Sequence, residues 1–175
     1  MIDITITIPI KPVPKGRAVP TTVKGRTFMR TPTRTHKFET QLALMAATKL
    51  PAKPFEGALR VDILAVVQRP KALLKVYKKT GKAKYPTRLM WCPKRPDADN
   101  YAKSVLDGLA RHWHDDAQVT FLVVKKMYSE LVGKPRIEIR IRTLEQAPVF
   151  ATDERWIKVR ELQRQIDELM EEIDG

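Results

Sequence analysis

The segment RPDADNYAKSVLDGLARHWHDD, Arg95 to Asp116, sets five aspartates within twenty-two residues of a chain whose formal net charge is +13. Grouped carboxylates suit a divalent cation. Mg²⁺ takes hard oxygen ligands, usually one or two carboxylates with waters and a phosphate oxygen. Hydrolysis of a phosphodiester needs an activated water and stabilisation of charge on the oxygens of phosphorus, both of which such an ion supplies. Without a cation, clustered carboxylates repel phosphate; with one or two ions the sign reverses.

The spacing narrows the roles. Asp97 and Asp99 flank Ala98 directly after Pro96. In extended backbone their side chains fall on one side, whereas in a helix they would sit roughly 200° apart. Asp97 is therefore expected to precede a helix that Asp99 opens. Lys103 follows Asp99 by four residues and shares its face, and Asp107 continues that face one turn later. Asp115 and Asp116 lead into the next strand after a short turn, and only tertiary packing can return them to the start of the same helix. Two or three of these carboxylates are expected to share the ion. Lys103 is expected to orient the attacking water or offset transition-state charge, and Asp107 is read as structural.

The same residues also suit blander roles. Either Asp97 or Asp99 serves as a helix N-cap, worth roughly 1 kcal/mol. Asp99 with Lys103 makes a surface pair worth about 0.3–0.5 kcal/mol, and Asp115-Asp116 makes a turn. His112 and His114, two residues apart beside the Asp pair, offer a zinc alternative, although His36 lies far off in sequence. Trp113 reads as a core residue closing the helix end. No Ser-His-Asp order, glycine-rich phosphate loop or nucleotide fingerprint is present.

Charge distribution separates these readings. Ile4 to Phe38 contains no Asp or Glu but eight Lys or Arg, and Ile63 to Pro96 contains none but ten. Two acid-free blocks imply a polyanionic partner. Neither has the amphipathic pattern of a membrane-surface helix, so nucleic acid is the expected partner. Lys11, Lys15, Arg17, Arg26, Arg30, Arg69, Lys71 and Arg95 are the candidate contacts. Composition and spacing leave two classes open, a metal-dependent nuclease and a non-catalytic DNA- or RNA-binding protein.

The elements that must position these residues follow from hydrophobic period. Ile2, Ile4, Ile6 and Ile8 alternate with polar residues as in a half-buried strand. The Pro-, Gly- and Thr-rich stretch to about Pro32 predicts a loop or hairpin. Thr35 to Leu50 predicts a helix with Phe38, Leu42, Met45 and Ala46 on one side, and Ala58 to Val67 a buried strand. Residues 70–94 read as a mobile basic excursion. Tyr101, Ala102, Val105, Leu106, Leu109 and Ala110 recur at helical spacing. Two strands, QVTFLVVKKMYSE and KPRIEIRIRTL, complete an α/β fold with a small mixed sheet and two helices.

From Thr152 the pattern changes. Val159, Leu162, Ile166, Leu169 and Ile173 form a short heptad seam, basic in its first half and acidic in its second. Antiparallel pairing of two copies would set opposite charges together; docking onto the domain serves equally well. The expected organisation is a domain over residues 1–150 with a helical extension over 151–175. No apolar run of 18 residues or more appears, and MIDITITIPI lacks a basic leader, so neither a membrane span nor an export signal is expected. The single cysteine, Cys92, excludes an internal disulfide, and a cytoplasmic location is the default.

At RPDADNYAKSVLDGL, followed by WHDDAQV and VVKKMY, the chain resembles the RusA family of Holliday junction resolvases. The amino-terminal KPVPKGRAVPTTVKGRTFMRTPTRTHKFE is similar to that family's proline- and arginine-rich start, and the likeness spans roughly Ile2 to Arg142. The resemblance implies a small α/β homodimer that binds four-way DNA junctions and introduces paired nicks with Mg²⁺ or Mn²⁺, in recombination and repair. It places essential acids on Asp97, Asp99 and Asp116 and an essential lysine on Lys103, with Asp115 next in line. It also implies a nucleoid-associated protein, of the kind that phage and prophage genomes encode. A branch or flap nuclease with the same site is the nearest alternative. The basic excursion of residues 70–94 is longer than the resemblance leads one to expect, and the heptad tail lies outside it.

Overall fold

A computed structural model describes residues 2–76 and 78–144, together with positions 158, 161, 162, 164 and 165. The chain divides into two compact units, Met1–Thr143 and Leu144–Gly175. The tail's heptad seam lies outside the described residues except for Leu162, which is helical and exposed.

The first unit is a mixed sheet with helices on one face. Its strands are β1 (Asp3–Ile8), β4 (Leu59–Val67), β5 (Met90–Trp91), β6 (Val119–Tyr128) and β7 (Arg136–Thr143), in the order β1-β7-β4-β6-β5. Only β4 and β6 run parallel, and helix α2 (Ala98–Leu109) lies between them in the chain. A separate hairpin, β2 (Val19–Val23) with β3 (Arg26–Arg30), precedes helix α1 (Thr33–Ala47). Lys24 and Gly25 both have positive φ, 49° and 76°, at its two-residue turn, the geometry that matches strand twist.

Period-two patterning determines which face is covered. Ile6 and Ile8 of β1, Val61 and Ile63 of β4, and Ile137, Ile139 and Ile141 of β7 all point inward and are buried. Phe38, Leu42 and Ala46 of α1 and Ala102, Val105 and Leu109 of α2 cover them in one core. Gly108 sets how closely the helices approach, since a Cβ there would lie 2.7 Å from Leu42 Cδ2 and 3.3 Å from Glu39 O. Trp113 is buried, as its place at the helix end predicts.

On the opposite face, strand-borne charges neutralise one another. Arg60 and Arg142 both contact Asp62, Arg136 contacts Glu130 and Glu138, and Arg140 contacts Asp3. Arg136 holds the Glu130 carboxyl down to about 2. The basic excursion carries a short 3₁₀ turn (Lys71–Leu74), a bridge between Val76 and Ala83, and the edge strand β5.

Candidate active site

The amino end of α2 presents two carboxylates. Asp97 occupies the N-cap position with extended backbone (φ −72°, ψ 155°), and its side chain makes no capping hydrogen bond. Asp99 stands in the first helical turn. Both are exposed, where the helix dipole favours negative charge. Lys103 Nζ lies 3.2 Å from Asp99 Oδ2, and both side chains are more than 60% exposed (63% and 62%). Such a pair contributes little stability, which leaves its groups available to a ligand.

Beside these carboxylates lies a cavity of about 360 Å³ whose charged lining is Lys11, Arg34, Lys94 and Arg95; no Asp or Glu borders it. Tyr101 and Tyr128 form its apolar wall. Burial, then a hydrogen bond with Cys92, pushes the Tyr128 phenol up to about 12, so it stays protonated and neutral near pH 7. Lys126 Nζ donates to Lys94 O at 2.7 Å and to Pro96 O at 2.5 Å, fixing the chain that leads into Asp97 against β6. Ser104 Oγ donates to Val13 O at 2.5 Å and so ties the amino-terminal loop to α2. Sequence reasoning missed Lys126 and Ser104; each acts through a backbone carbonyl far away in the chain, which leaves no trace in local pattern.

At the other end of α2 the aspartates have structural partners. The buried Trp113 donates its indole N–H to Asp116 Oδ1 at 2.7 Å. Asp115 accepts from Ala117 N at 2.7 Å and caps the 3₁₀ turn Asp116–Gln118. Gln118 closes that turn, accepting from His114 N and Asp115 N and donating to Phe55 O and Gly57 O. His112 is buried and His114 exposed, and burial lowers the His112 pKa so that it stays neutral.

Two independent rulers separate these ends. The twelve residues of α2 span about 18 Å. The strand from Val119 to Lys126, whose ammonium touches Pro96, spans about 23 Å. The expected convergence of Asp97, Asp99 and Asp116 is therefore not made within one chain, because a rigid helix holds Asp116 at its far end. Among the described residues no group of three or more His, Cys, Asp or Glu side chains is spaced to hold a metal.

The basic residues also divide. Lys11, Arg17, Arg26, Arg30, Lys71 and Arg95 are exposed. Arg69 is not: only 2% exposed, it donates from Nε to Ser129 O, from Nη1 to Pro86 O and from Nη2 to Arg88 O. It clamps the excursion to the sheet and cannot reach DNA, because burial and three carbonyls engage its guanidinium. Lys15 is likewise withdrawn, its ammonium lying 2.7 Å from Glu39 and 2.5 Å from Asp107. Its pKa is raised: burial opposes the charge, but the two carboxylates outweigh it. This pairing gives Asp107 the structural role read from sequence.

A mixed α/β sheet that offers paired helix-terminal carboxylates beside an acid-free basic cavity defines a protein acting on a polyanionic backbone. The chain belongs to the RusA family: residues 9–142 match the family described as Endodeoxyribonuclease RusA. That membership makes it an endodeoxyribonuclease, of a family acting on branched DNA junctions. The chain is also 34% identical over 140 residues to "Uncharacterized protein YqaN" of Bacillus subtilis (strain 168), covering 79% of this chain and 95% of that protein. Among the described residues no helix is long and apolar enough to cross a membrane.

Proposed function

We propose that this endodeoxyribonuclease resolves four-way junctions by paired nicks in recombination and repair, as a homodimer that uses Mg²⁺ or Mn²⁺. One observation supports the reading: exposed Asp97 and Asp99 follow directly in the chain on Arg95 and Pro96, which with Lys11, Arg34 and Lys94 line the basic cavity. The donor set fits the ion, since two exposed hard-oxygen ligands leave positions for water and phosphate oxygen. A divalent ion bound there would supply charge neutralisation at the phosphate and a water of lowered pKa.

In this mechanism the basic residues hold the DNA backbone so that one phosphate faces Asp97 and Asp99. Water oxygen adds to phosphorus, the P–O bond to one sugar oxygen breaks, and that oxygen leaves as a hydroxyl after taking a proton. Lys103, poised on Asp99, offsets charge on the phosphate oxygens as the bond breaks. Lys11, Arg17, Arg26, Arg30, Lys71 and Arg95 position the arms. A protein acting this way would work at the nucleoid.

Asp116 completes the site only from a second copy, given the length of α2. A two-fold axis sets the amino end of one α2 beside the carboxyl end of the other, and produces two sites for symmetric nicks. Mixed dimers test this. A chain carrying Asp97→Asn and Asp99→Asn, combined with a chain carrying Asp116→Asn, should regain nicking at one site, although each alone is inactive. Absence of rescue in verified mixed dimers would exclude the shared site. Comparing four-way, flap and linear duplexes tests the substrate, with the four-way junction expected to be cut fastest; preferential cleavage of flaps would favour a flap nuclease.

A further inference from the structure

Not every apolar residue of the first unit is covered, and the β2–β3 hairpin leaves several open together. It forms a two-stranded sheet of its own, apart from the five-stranded one. Every residue of β3 is exposed, Phe28 56% and Met29 67%, and Val19 of β2 is 52% exposed. A two-stranded hairpin alone is marginally stable, and one that buries so little adds little to the fold. Apolar surface kept in solvent on such an element marks an interaction site.

The pattern specifies the shape of what is bound. Phe28 lies opposite Thr21, and Met29 opposite Pro20. Thr22 and Thr27, also opposite one another, share a hydrogen bond of 3.1 Å across the ribbon. Successive residues of a strand point to opposite faces, so Phe28 and Met29 make the ribbon apolar on both sides at one level. Docking on a flat surface needs one apolar face; two suit insertion between two apolar surfaces. Charge identifies those surfaces. Arg17, Lys24, Arg26 and Arg30 are exposed around these residues, and no Asp or Glu lies between Ile4 and Phe38. Stacked bases framed by phosphates meet both conditions.

The root of the hairpin is held at the end of α2 that carries Asp97 and Asp99. Lys15 N donates to Asn100 O at 2.7 Å, and Gly16 N donates to Thr35 Oγ1 at 3.2 Å. A Cβ at Gly16 would stand 2.9 Å from Pro32 Cγ, so the chains entering and leaving the hairpin touch. Beside the ribbon is a hollow of about 520 Å³, lined by Thr21, Phe28, Met29, Arg30, Thr31 and His36.

We propose that the hairpin is a wedge for the branch point: Phe28 and Met29 enter the gap between DNA arms and stack on the bases there. The hollow beside Phe28 takes a base that has lost its partner. This rests on the reading of the chain as a junction endonuclease and names the element that selects branched over linear DNA. Inserting an apolar wedge into continuous duplex must first break a stack. At a branch the stack is already interrupted, so the same contacts favour the branched substrate. Lys24 and Arg26, at the tip of the ribbon, reach phosphates beyond those bases.

A four-way junction carrying 2-aminopurine at the branch point tests the wedge, with full-length protein and no divalent ion so that the DNA stays uncut. Wild type should brighten the probe several-fold as the base leaves its stack, and should leave the same probe within linear duplex dark. Phe28→Ala combined with Met29→Ala should leave the junction probe dark and bind linear duplex as wild type does. Its affinity for the junction should fall about tenfold. A dark junction probe with wild type, or equal brightening by the double variant, overturns the proposal. Equal loss of junction and linear duplex would make the hairpin a general phosphate grip and overturns it too. If the far-ultraviolet spectrum shows that the double variant does not fold, the wild-type contrast between junction and linear duplex decides. Nicking with Mg²⁺ keeps the two readings apart. Junctions cut without brightening discard the wedge alone, whereas brightening without cutting retains the wedge and discards the nuclease.

Discussion

The two ends of α2 carry the same residue type in different states. At the amino end, Asp97 makes no capping hydrogen bond, and Asp99 pairs with Lys103 in the open, both side chains exposed. At the carboxyl end, Asp115 caps a turn and Asp116 binds the indole of Trp113. Carboxylates held by protein donors keep a turn in shape, whereas carboxylates left to solvent beside a basic cavity suit a cation and a phosphate. Asp116 belongs to both kinds. Its Oδ1 is engaged by Trp113, yet the residue is exposed.

Substitutions at each end should separate these roles. The largest effect is expected at the amino end: Asp97→Asn or Asp99→Asn should lower junction nicking at least ~10³-fold, as the loss of several kcal/mol of transition-state stabilisation implies. Gel-shift affinity for the junction should persist or rise, because a repulsive charge is removed. Asp116→Asn retains an acceptor for Trp113, so it should leave the thermal midpoint nearly unchanged while nicking falls comparably. Nicking at the wild-type rate would make Asp116 a structural residue and the two ends unlike in function as well as in bonding.

The basic residues allow the same contrast. If the exposed set makes about 6–10 phosphate contacts, affinity should fall ~10³–10⁵-fold between 50 and 200 mM salt. Arg95→Ala should reduce the salt slope by about one and leave stability alone. Arg69→Ala should do the reverse: it strips three carbonyls of their donor and should cost about 3 kcal/mol in a urea titration. Gly108→Ala forces Leu42 aside where the helices touch and should cost about 1–3 kcal/mol with no change in salt slope.

The smallest effect concerns pH. Arg136 holds Glu130 at about 2 against an ordinary value of 4.5. A depressed carboxyl pKa means that the unfolded chain binds the proton first, so this contribution is fully present above about pH 4.5 and is lost as pH falls toward 2. Glu130→Gln should flatten the acid limb of the stability curve within that window; an identical curve would show the pair to be inconsequential.

Much of the fold was legible because it rests on local period. The alternating isoleucines of β1 and β7 and the apolar stripe of α2 announce their elements within ten or so residues, and each formed as read. The open pattern around Lys24-Gly25 became a hairpin because that dipeptide accepts positive φ. The site was legible only in part. The spacing of Asp97, Asp99 and Lys103 placed all three at the amino end of α2, because they lie within one helix start. Arg69 and Lys15 misled because their partners stand far away in the chain: Ser129 lies sixty residues beyond Arg69, and Asp107 lies in α2, beyond strands β2 to β5 and helix α1. Nothing in a run of basic residues distinguishes a buried clamp from a phosphate contact.

Residue order by itself determined the chemistry on offer: which side chains can ligate a hard cation, where positive charge accumulates without acids, and which short segments become strand or helix. Those properties depend on residue type and on neighbours a few positions apart. Tertiary structure decided which charges meet, because parallel β4 and β6 require α2 to cross between them and so carry the second aspartate pair to the opposite end of the sheet. Among the described residues it also left the outer edge of β6 paired only at its end, by the short β5, because which strands meet depends on contacts far apart in the chain.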